Sequence, residues 1–179
     1  MSFDRNKFKA LVLHVIWRTS RLDGFGTTKL NKALWFSEAR VFEASGKTIT
    51  GETFIRDKFG PRSKHLRQIC AELEDEGLIE PFVENVYGRQ ASRYRAHQPP
   101  DTTLFDSDEL NMVDWWVSHI AREHTAASIS DLSHDYGWEV AAMGEELPLH
   151  AFLARRIRKP ETDDEIGWAA KEAHRLGLK

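Results

Sequence analysis

The chain has 179 residues, 41% of them hydrophobic and 30% charged, which is enough apolar sequence to bury the core of one globular domain and too much for general disorder. Its net charge of −3 argues against a generally cationic nucleic-acid binder, and a lone cysteine, Cys70, excludes an internal disulfide. No run of about 18 apolar residues is present to span a bilayer, and the N-terminal MSFDRNKFKA lacks the apolar core of a signal peptide, so a cytoplasmic protein without membrane association is expected.

The first strongly patterned segment is TTKLNKALWFSEARVFEAS. It predicts a helix that begins at Thr27 or Thr28, whose hydroxyl caps the first turn, and stops at Gly46. Leu30, Ala33, Leu34, Trp35, Phe36, Val41 and Phe42 point in most directions, so this helix is expected to be wrapped by the rest of the protein and to form the core of the fold. Gly46 and Gly51 then bracket an extended segment rich in Thr and Ile, which Phe59-Gly60-Pro61 closes. Proline drives Gly60 out of the helical region and suits a first helical turn, so the next helix is expected to open near Arg62 or Ser63. There Leu66, Ile69, Cys70 and Leu73 recur at i, i+3, i+4 and i+7, and Gly77 is the stop. On this apolar face Cys70 reads as a buried structural thiol rather than a nucleophile.

From Leu78 to Ala96 the sequence alternates imperfectly around a turn at Tyr87-Gly88, which predicts antiparallel strands over 78–86 and 91–96. A local break at Gln98-Pro-Pro100 precedes Asp106 and Glu109, a capping box for a helix to Glu123 with Leu110, Val113, Trp116, Val117 and Ile120 as its buried stripe. Trp115 lies off that stripe, either wedged against a neighbouring helix or exposed. Thr125 or Ser128 caps a short helix ending near His134, and shorter helical pieces follow around Trp138 to Met143 and Pro148 to Arg155. A last amphipathic helix starts at the capping box Thr162-Asp-Asp-Glu165, with Ile166, Ala169, Ala170, Ala173 and Leu176 on one face. The fold class is therefore mainly α with a small antiparallel β-hairpin (α+β). It is one domain over residues 1–179, with 160–179 as its helical extension and a winged-helix-like element near the middle.

Two segments carry a family resemblance. The order LNKALWFSEARVFEASGKTITGETFIRDKFGPRSKHL, and later Ile129-Ser-Asp-Leu-Ser-His-Asp-Tyr-Gly-Trp138, resemble the two signatures of the Panacea domain, the SocA-like antitoxin family of bacteria and phages. The resemblance spans about residues 10 to 155. It implies an antitoxin that neutralises a cognate toxin by direct protein binding; the segment from Pro160 to Lys179 lies beyond it and is free to pack intramolecularly or to supply a dimer or toxin contact.

Basic residues cluster around the Gly-Pro turn (Arg56, Lys58, Arg62, Lys64, His65, Arg67) and in the next element (Arg89, Arg93, Arg95). Interfaces concentrate their energy in aromatic and arginine anchors, so the expected partner-binding residues are Arg56, Lys58 and Arg62 with Tyr87, Arg89 and Arg93; Trp168 on the final helix is the competing contact. A helix followed by a basic hairpin is also the outline of a winged helix. The alternative function is thus a DNA-binding transcriptional regulator, with Ser63, Lys64, Arg67 and Gln68 reading bases and Arg89 and Arg93 meeting phosphates. Against it stand the net charge and the acidic run Glu72 to Glu76, so nucleic-acid binding is expected to be weak.

Neither a metal nor a cofactor is expected. The eight histidines show no i, i+4 pair with a partner motif; His119 and His124 are five apart, and GxGxxG and GxxxxGK[ST] are absent. Ser133, His134 and Asp135 are triad residue types, but adjacent side chains rarely converge on one point, and His134 reads as a hydrogen-bonding residue that fixes the bend before Trp138. No enzymatic activity is expected, and a homodimer is left open.

Overall fold

The structure is a computed structural model that describes residues 2–86 and 88–153, with the Arg89 side chain also outside the description. The expected final helix, with Trp168, and Tyr87 therefore lie outside the described residues. The elements run α1 (Arg5–Thr19), α2 (Thr27–Ser45), β1 (Phe54–Asp57), β2 (Gly60–Ser63), α3 (Leu66–Asp75), β3 (Ile79–Val86), β4 (Arg89–Ala96), α4 (Ser107–Glu123), α5 (Ala126–Leu132), α6 (Tyr136–Val140), β5 (Glu146–Leu147) and a 3-10 turn at Leu149–Leu153. The class is α+β, as expected.

Helix α2 is the centre. It packs against α1, α4, α5, β2, β4 and the 3-10 turn, and Leu30, Ala33, Leu34, Trp35, Phe36 and Ala39 are all buried. Phe36 stacks on Trp116 of α4 with ring centroids 4.5 Å apart, while Trp35 meets Phe54 of β1 edge-on at 5.1 Å. The helix stops where Gly46 takes φ +71, a left-handed conformation open to glycine, and its N–H donates to Phe42 O at 2.8 Å. Its start differs from expectation. Gly26 is the cap residue, and the Thr27 hydroxyl donates instead to Ser92 O of β4 at 3.0 Å, so a local cap is exchanged for a tertiary tie.

Helix α1 was not among the expected elements. Every residue from Leu11 to Ile16 is buried, which erases the polar stripe that would have revealed a helical period. A second correction concerns the Gly-Pro segment: Gly60–Ser63 is strand β2, and the helix opens only at Leu66. Proline suits this strand because β2 is an edge in the order β2-β1-β5, where a missing N–H leaves no ladder bond unmade. Pro61 sits opposite Arg56 in the antiparallel register Phe54↔Ser63 to Asp57↔Gly60. The Ser63 hydroxyl then accepts from Leu66 N at 2.9 Å and turns the chain into α3.

The second hairpin matches expectation, with β3 and β4 paired from Ile79↔Ala96 to Val86↔Arg89. Helix α4 has the full capping box of Asp106 and Glu109, and Val113, Trp116, Val117 and Ile120 are its buried apolar residues, while Leu110 is only half-buried. Thr125 caps α5 through Ser128. Cys70 is buried on α3, and burial pushes its thiol up to about 12, which makes it a poor nucleophile.

The segment between α2 and β1 is organised by two buried carboxylates. Glu38 accepts from Ile49 N at 2.8 Å, Thr50 N at 2.9 Å and the Thr50 hydroxyl. Glu52 accepts from the Ser63 hydroxyl at 2.8 Å, from His65 N at 3.1 Å, and pairs with His65 Nδ1 at 2.9 Å. Loop backbone is thus satisfied from inside the protein. Because Phe36 is fully buried in the α2–α4 aromatic stack, Phe36→Ala is expected to cost about 3–5 kcal/mol in urea unfolding, the range for emptying such a site; a loss under 1 kcal/mol would place the core elsewhere.

Candidate functional site

The segments LNKALWF, KFGPRS and SHDYGW, distant in sequence, meet at the β1–β2 turn. Gly60 adopts φ +92, and a Cβ built on it would stand 2.6 Å from Lys32 Nζ of α2 and closer still to the Ser133 hydroxyl. Only glycine fits there, on grounds of both backbone and space. Lys32, 2% exposed, donates from Nζ to Pro61 O at 2.9 Å, and Asn31 Oδ1 accepts from Ser63 N at 3.1 Å, so β2 is bolted to α2. Ser133, 1% exposed, donates its hydroxyl to Ser130 O at 2.6 Å.

On the outer side of the turn three planar groups form a ladder. His134 stacks on Trp138 with centroids 3.7 Å apart, and the Arg56 guanidinium lies 4.5 Å from the Trp138 ring centroid. Trp138 Nε1 donates to Asp57 O at 3.0 Å, and Gly144 N donates to Arg56 O at 2.9 Å. The stretch from Trp138 to Gly144 is therefore bonded at both ends to β1. Against expectation His134 contributes to the bend before Trp138 by stacking and not by a hydrogen bond, since its buried Nε2 meets no partner among the described residues, and Asp135 adds the cap by accepting from Trp138 N at 3.0 Å.

Burial lowers the Lys32 pKa to about 7, with the Asp57 carboxylate acting in the opposite sense. Burial also lowers the pKa of His134, and Lys32 adds to that, so its ring is neutral at neutral pH. A lysine that loses its proton so readily, beside a serine hydroxyl, has the parts of a general-base pair. Both are sealed from solvent.

What these supports present is the turn itself. Lys58 and Phe59 form its tip, with Phe59 61% exposed and Lys58 Nζ 5.4 Å from its ring centroid. Arg62 is exposed and pairs with Asp57, whose other oxygen accepts from Lys58 N at 2.7 Å. Val140 and Met143, 64% and 62% exposed, lie in the stretch bonded to Arg56 and Asp57. Of the expected partner-binding residues, Arg56, Lys58 and Arg62 thus gather on one hairpin, with Arg56 half-buried against Trp138.

Arg93 is placed differently. It is 4% exposed, donates to Glu84 at 2.8 Å and to the carbonyls of Thr19 and Leu22, and its guanidinium lies 4.9 Å from the Phe82 centroid. Its role is to dock the β3–β4 hairpin on the end of α1, which removes it from the surface expected to meet a partner or phosphate. Ser63, 1% exposed, is likewise unable to reach a base. Tyr87 and the Arg89 side chain lie outside the described residues. Both hairpins are nevertheless tied to the first turns of α2, one through Thr27 and Ser92, the other through Asn31, Lys32, Pro61 and Ser63.

Sequence reading missed Lys32, Glu38 and Glu52, and weighed Ser133 only as a triad residue type. The signal available was the presence of Lys32 and Glu38 in a helix expected to be wrapped all round, where each charge needs an internal partner. Among the described residues no three His, Cys, Asp or Glu side chains gather as a metal site, and no helix is long and apolar enough to cross a membrane.

The unfolded chain holds the Lys32 proton up to the ordinary value of 10.5, while the folded protein releases it near 7. The unfolded state therefore binds more protons above pH 7, and this group adds stability as pH rises. Glu38, pushed up to about 7 by burial, acts in the opposite sense as it ionises around pH 7, and Cys70 and Tyr94, both pushed up to about 12, do so above their ordinary values of 9.0 and 10.0; all three are kept in Lys32→Met, so comparison with that variant isolates Lys32 over the window pH 7 to 9. Across it, wild type is expected to gain on the order of 1–2 kcal/mol relative to Lys32→Met in urea unfolding. Parallel pH profiles would show that Lys32 keeps its proton in the folded state.

No curated protein sequence matches the chain. The family described as antitoxin SocA-like, Panacea domain, matches residues 30–139, a stretch that holds α2, the Gly-Pro turn and the Ser133-to-Trp138 ladder. With most of its length matched and the segments that mark the resemblance meeting at one turn, the chain belongs to the SocA-like antitoxin, Panacea-domain family.

Proposed function

We propose that this chain is a cytoplasmic antitoxin that neutralises one cognate toxin by binding it directly, without catalysis of its own. The observation that carries this reading is that the family-marking segments, meeting through buried Lys32, Gly60 and Ser133, hold one turn whose apolar tip is left in water. Phe59 stands out between Lys58 and Arg62, and exposed Val140 and Met143 lie in the stretch bonded to Arg56 and Asp57. An exposed aromatic flanked by cations is the composition of an interface anchor, and it fits a partner that offers an apolar pocket with a carboxylate at its rim. Arg56 contributes by holding Trp138 in place; Tyr87 and Arg89 remain part of the proposed surface. The sealed Lys32 and Ser133 support a role in binding rather than turnover.

The DNA-binding alternative loses ground on specific contacts. Ser63 and Arg93 are buried, which outweighs the partial neutralisation of the acidic end of α3 by the pairs Glu72 with Arg5 and Glu76 with Lys9 and the exposure of Lys64, Arg67 and Gln68. Weak, salt-sensitive retention of duplex DNA is the expected outcome in a gel shift, and tight sequence-dependent binding would restore that reading.

The direct test uses the product of the neighbouring reading frame as the toxin. Phe59→Ala with Lys58→Glu is expected to lower toxin capture in co-purification about tenfold or more, the range for losing an interface anchor, and to abolish growth rescue with an unchanged melting temperature. Arg93→Ala is expected to do the reverse, costing about 3–5 kcal/mol of stability because Glu84 loses its paired cation and the Thr19 and Leu22 carbonyls lose the guanidinium's hydrogen bonds. Wild-type capture by the folded Phe59 variant would overturn the site.

A further inference from the structure

Helix α4 ends at Glu123, and His124 takes an extended conformation, φ −127 and ψ 140, as its C-cap. A separation of five residues does not align side chains on a continuing helix, but leaving the helix swings His124 back over the last turn. Its Nε2 then faces the Nε2 of His119 at 3.3 Å, with ring centroids 5.0 Å apart and planes at 73°. Both histidines are half-buried, so the paired nitrogens sit at the protein surface rather than in the core.

The separation distinguishes two arrangements. Two imidazole nitrogens about 2.0–2.1 Å from one tetrahedral ion stand about 3.3–3.4 Å apart, with the ring centroids behind them about 5.2 Å apart. A collinear N–H···N hydrogen bond at the same nitrogen spacing would put the centroids about 5.6 Å apart. At 5.0 Å the observed centroid separation lies closer to the first value than to the second.

Each ring is held in that orientation by a contact away from Nε2. His124 Nδ1 lies 3.2 Å from the Ser128 hydroxyl oxygen, which is itself fixed in the capping box of α5. Donation from Nδ1 to that oxygen leaves the Nε2 lone pair free for a ligand, the outer-shell arrangement common to metal-binding histidines. His119 stacks on Trp115 with centroids 4.8 Å apart and planes at 17°. The charges nearest His124 are Glu123 and Lys29, one of each sign.

We propose that His119 and His124 form a bidentate site for a borderline divalent transition-metal ion, Zn²⁺, Ni²⁺ or Cu²⁺. The two protein ligands leave further coordination positions to water or to a side chain of a second molecule. Imidazole suits these ions, with Cu²⁺ expected to bind most tightly. This site is independent of the toxin-binding reading.

The test uses the tag-free full chain and the metal ions alone. Titration calorimetry with Zn²⁺ is expected to show one equivalent bound, with affinity lowered about tenfold or more in His119→Gln and in His124→Gln, and also in Ser128→Ala. His97→Gln is expected to bind as wild type does. Cu²⁺ is expected to quench the fluorescence of Trp115, and Trp115→Phe to lose that saturable component. In the unmodified protein, sub-stoichiometric Ni²⁺ is expected to broaden the imidazole resonances of His119 and His124 before those of the other six, a readout that needs no variant to fold. Absence of one-equivalent binding, wild-type affinity in either histidine variant, or first broadening at another histidine would overturn the site.

Discussion

Helix α2 is surrounded on nearly every side, so each polar group it carries must find a partner inside the protein or exact the cost of burial. Two charged side chains set the terms. Lys32 finds the carbonyl of Pro61, and Glu38 finds the amides of Ile49 and Thr50 with the Thr50 hydroxyl. Both partners belong to the segment that follows the helix, so satisfying α2 and folding that segment are one event. Glu52 extends the arrangement by collecting Ser63 and His65, which positions the start of α3.

Such buried charges are weak contributors to stability but strong constraints on arrangement. An apolar pair of equal volume could pack as well, yet it would not require Pro61 O to face Lys32 or Gly60 to pass between Lys32 and Ser133. The left-handed conformation of Gly60 and the space denied to a Cβ follow from that demand. The Gly-Pro turn is accordingly rigid by construction, held from within by α2 and α5 and from outside by Trp138.

The division between support and presentation follows from the same geometry. In the marked segments the buried residues set the path of β1 and β2, while Lys58 and Phe59, at the tip of the same turn, face solvent. Function belongs to such an exposed site rather than to the architecture. The second hairpin obeys the same logic, since Arg93 docks it on the end of α1.

The sequence by itself determined the elements whose pattern is local. The all-round apolar face of α2, the i, i+3, i+4, i+7 stripe of α3, the capping box of α4 and the alternation of β3 and β4 each follow from spacing within one segment, and each is found. The family was legible too, in the order of the two marked segments. Only the tertiary structure decided the rest. It placed α1, whose run of buried residues carries no polar stripe to read, and it made Gly60–Ser63 an edge strand, because pairing with β1 outcompeted the helix-start preference of proline. It took Arg93 from the surface, since whether an arginine meets solvent or three oxygen acceptors depends on what lies across from it. It also brought His119 and His124 together by ending a helix between them, which no fixed spacing along a chain can state. Periodicity records which face of an element is apolar; which element covers that face, and with what polar groups, is settled only when the segments meet.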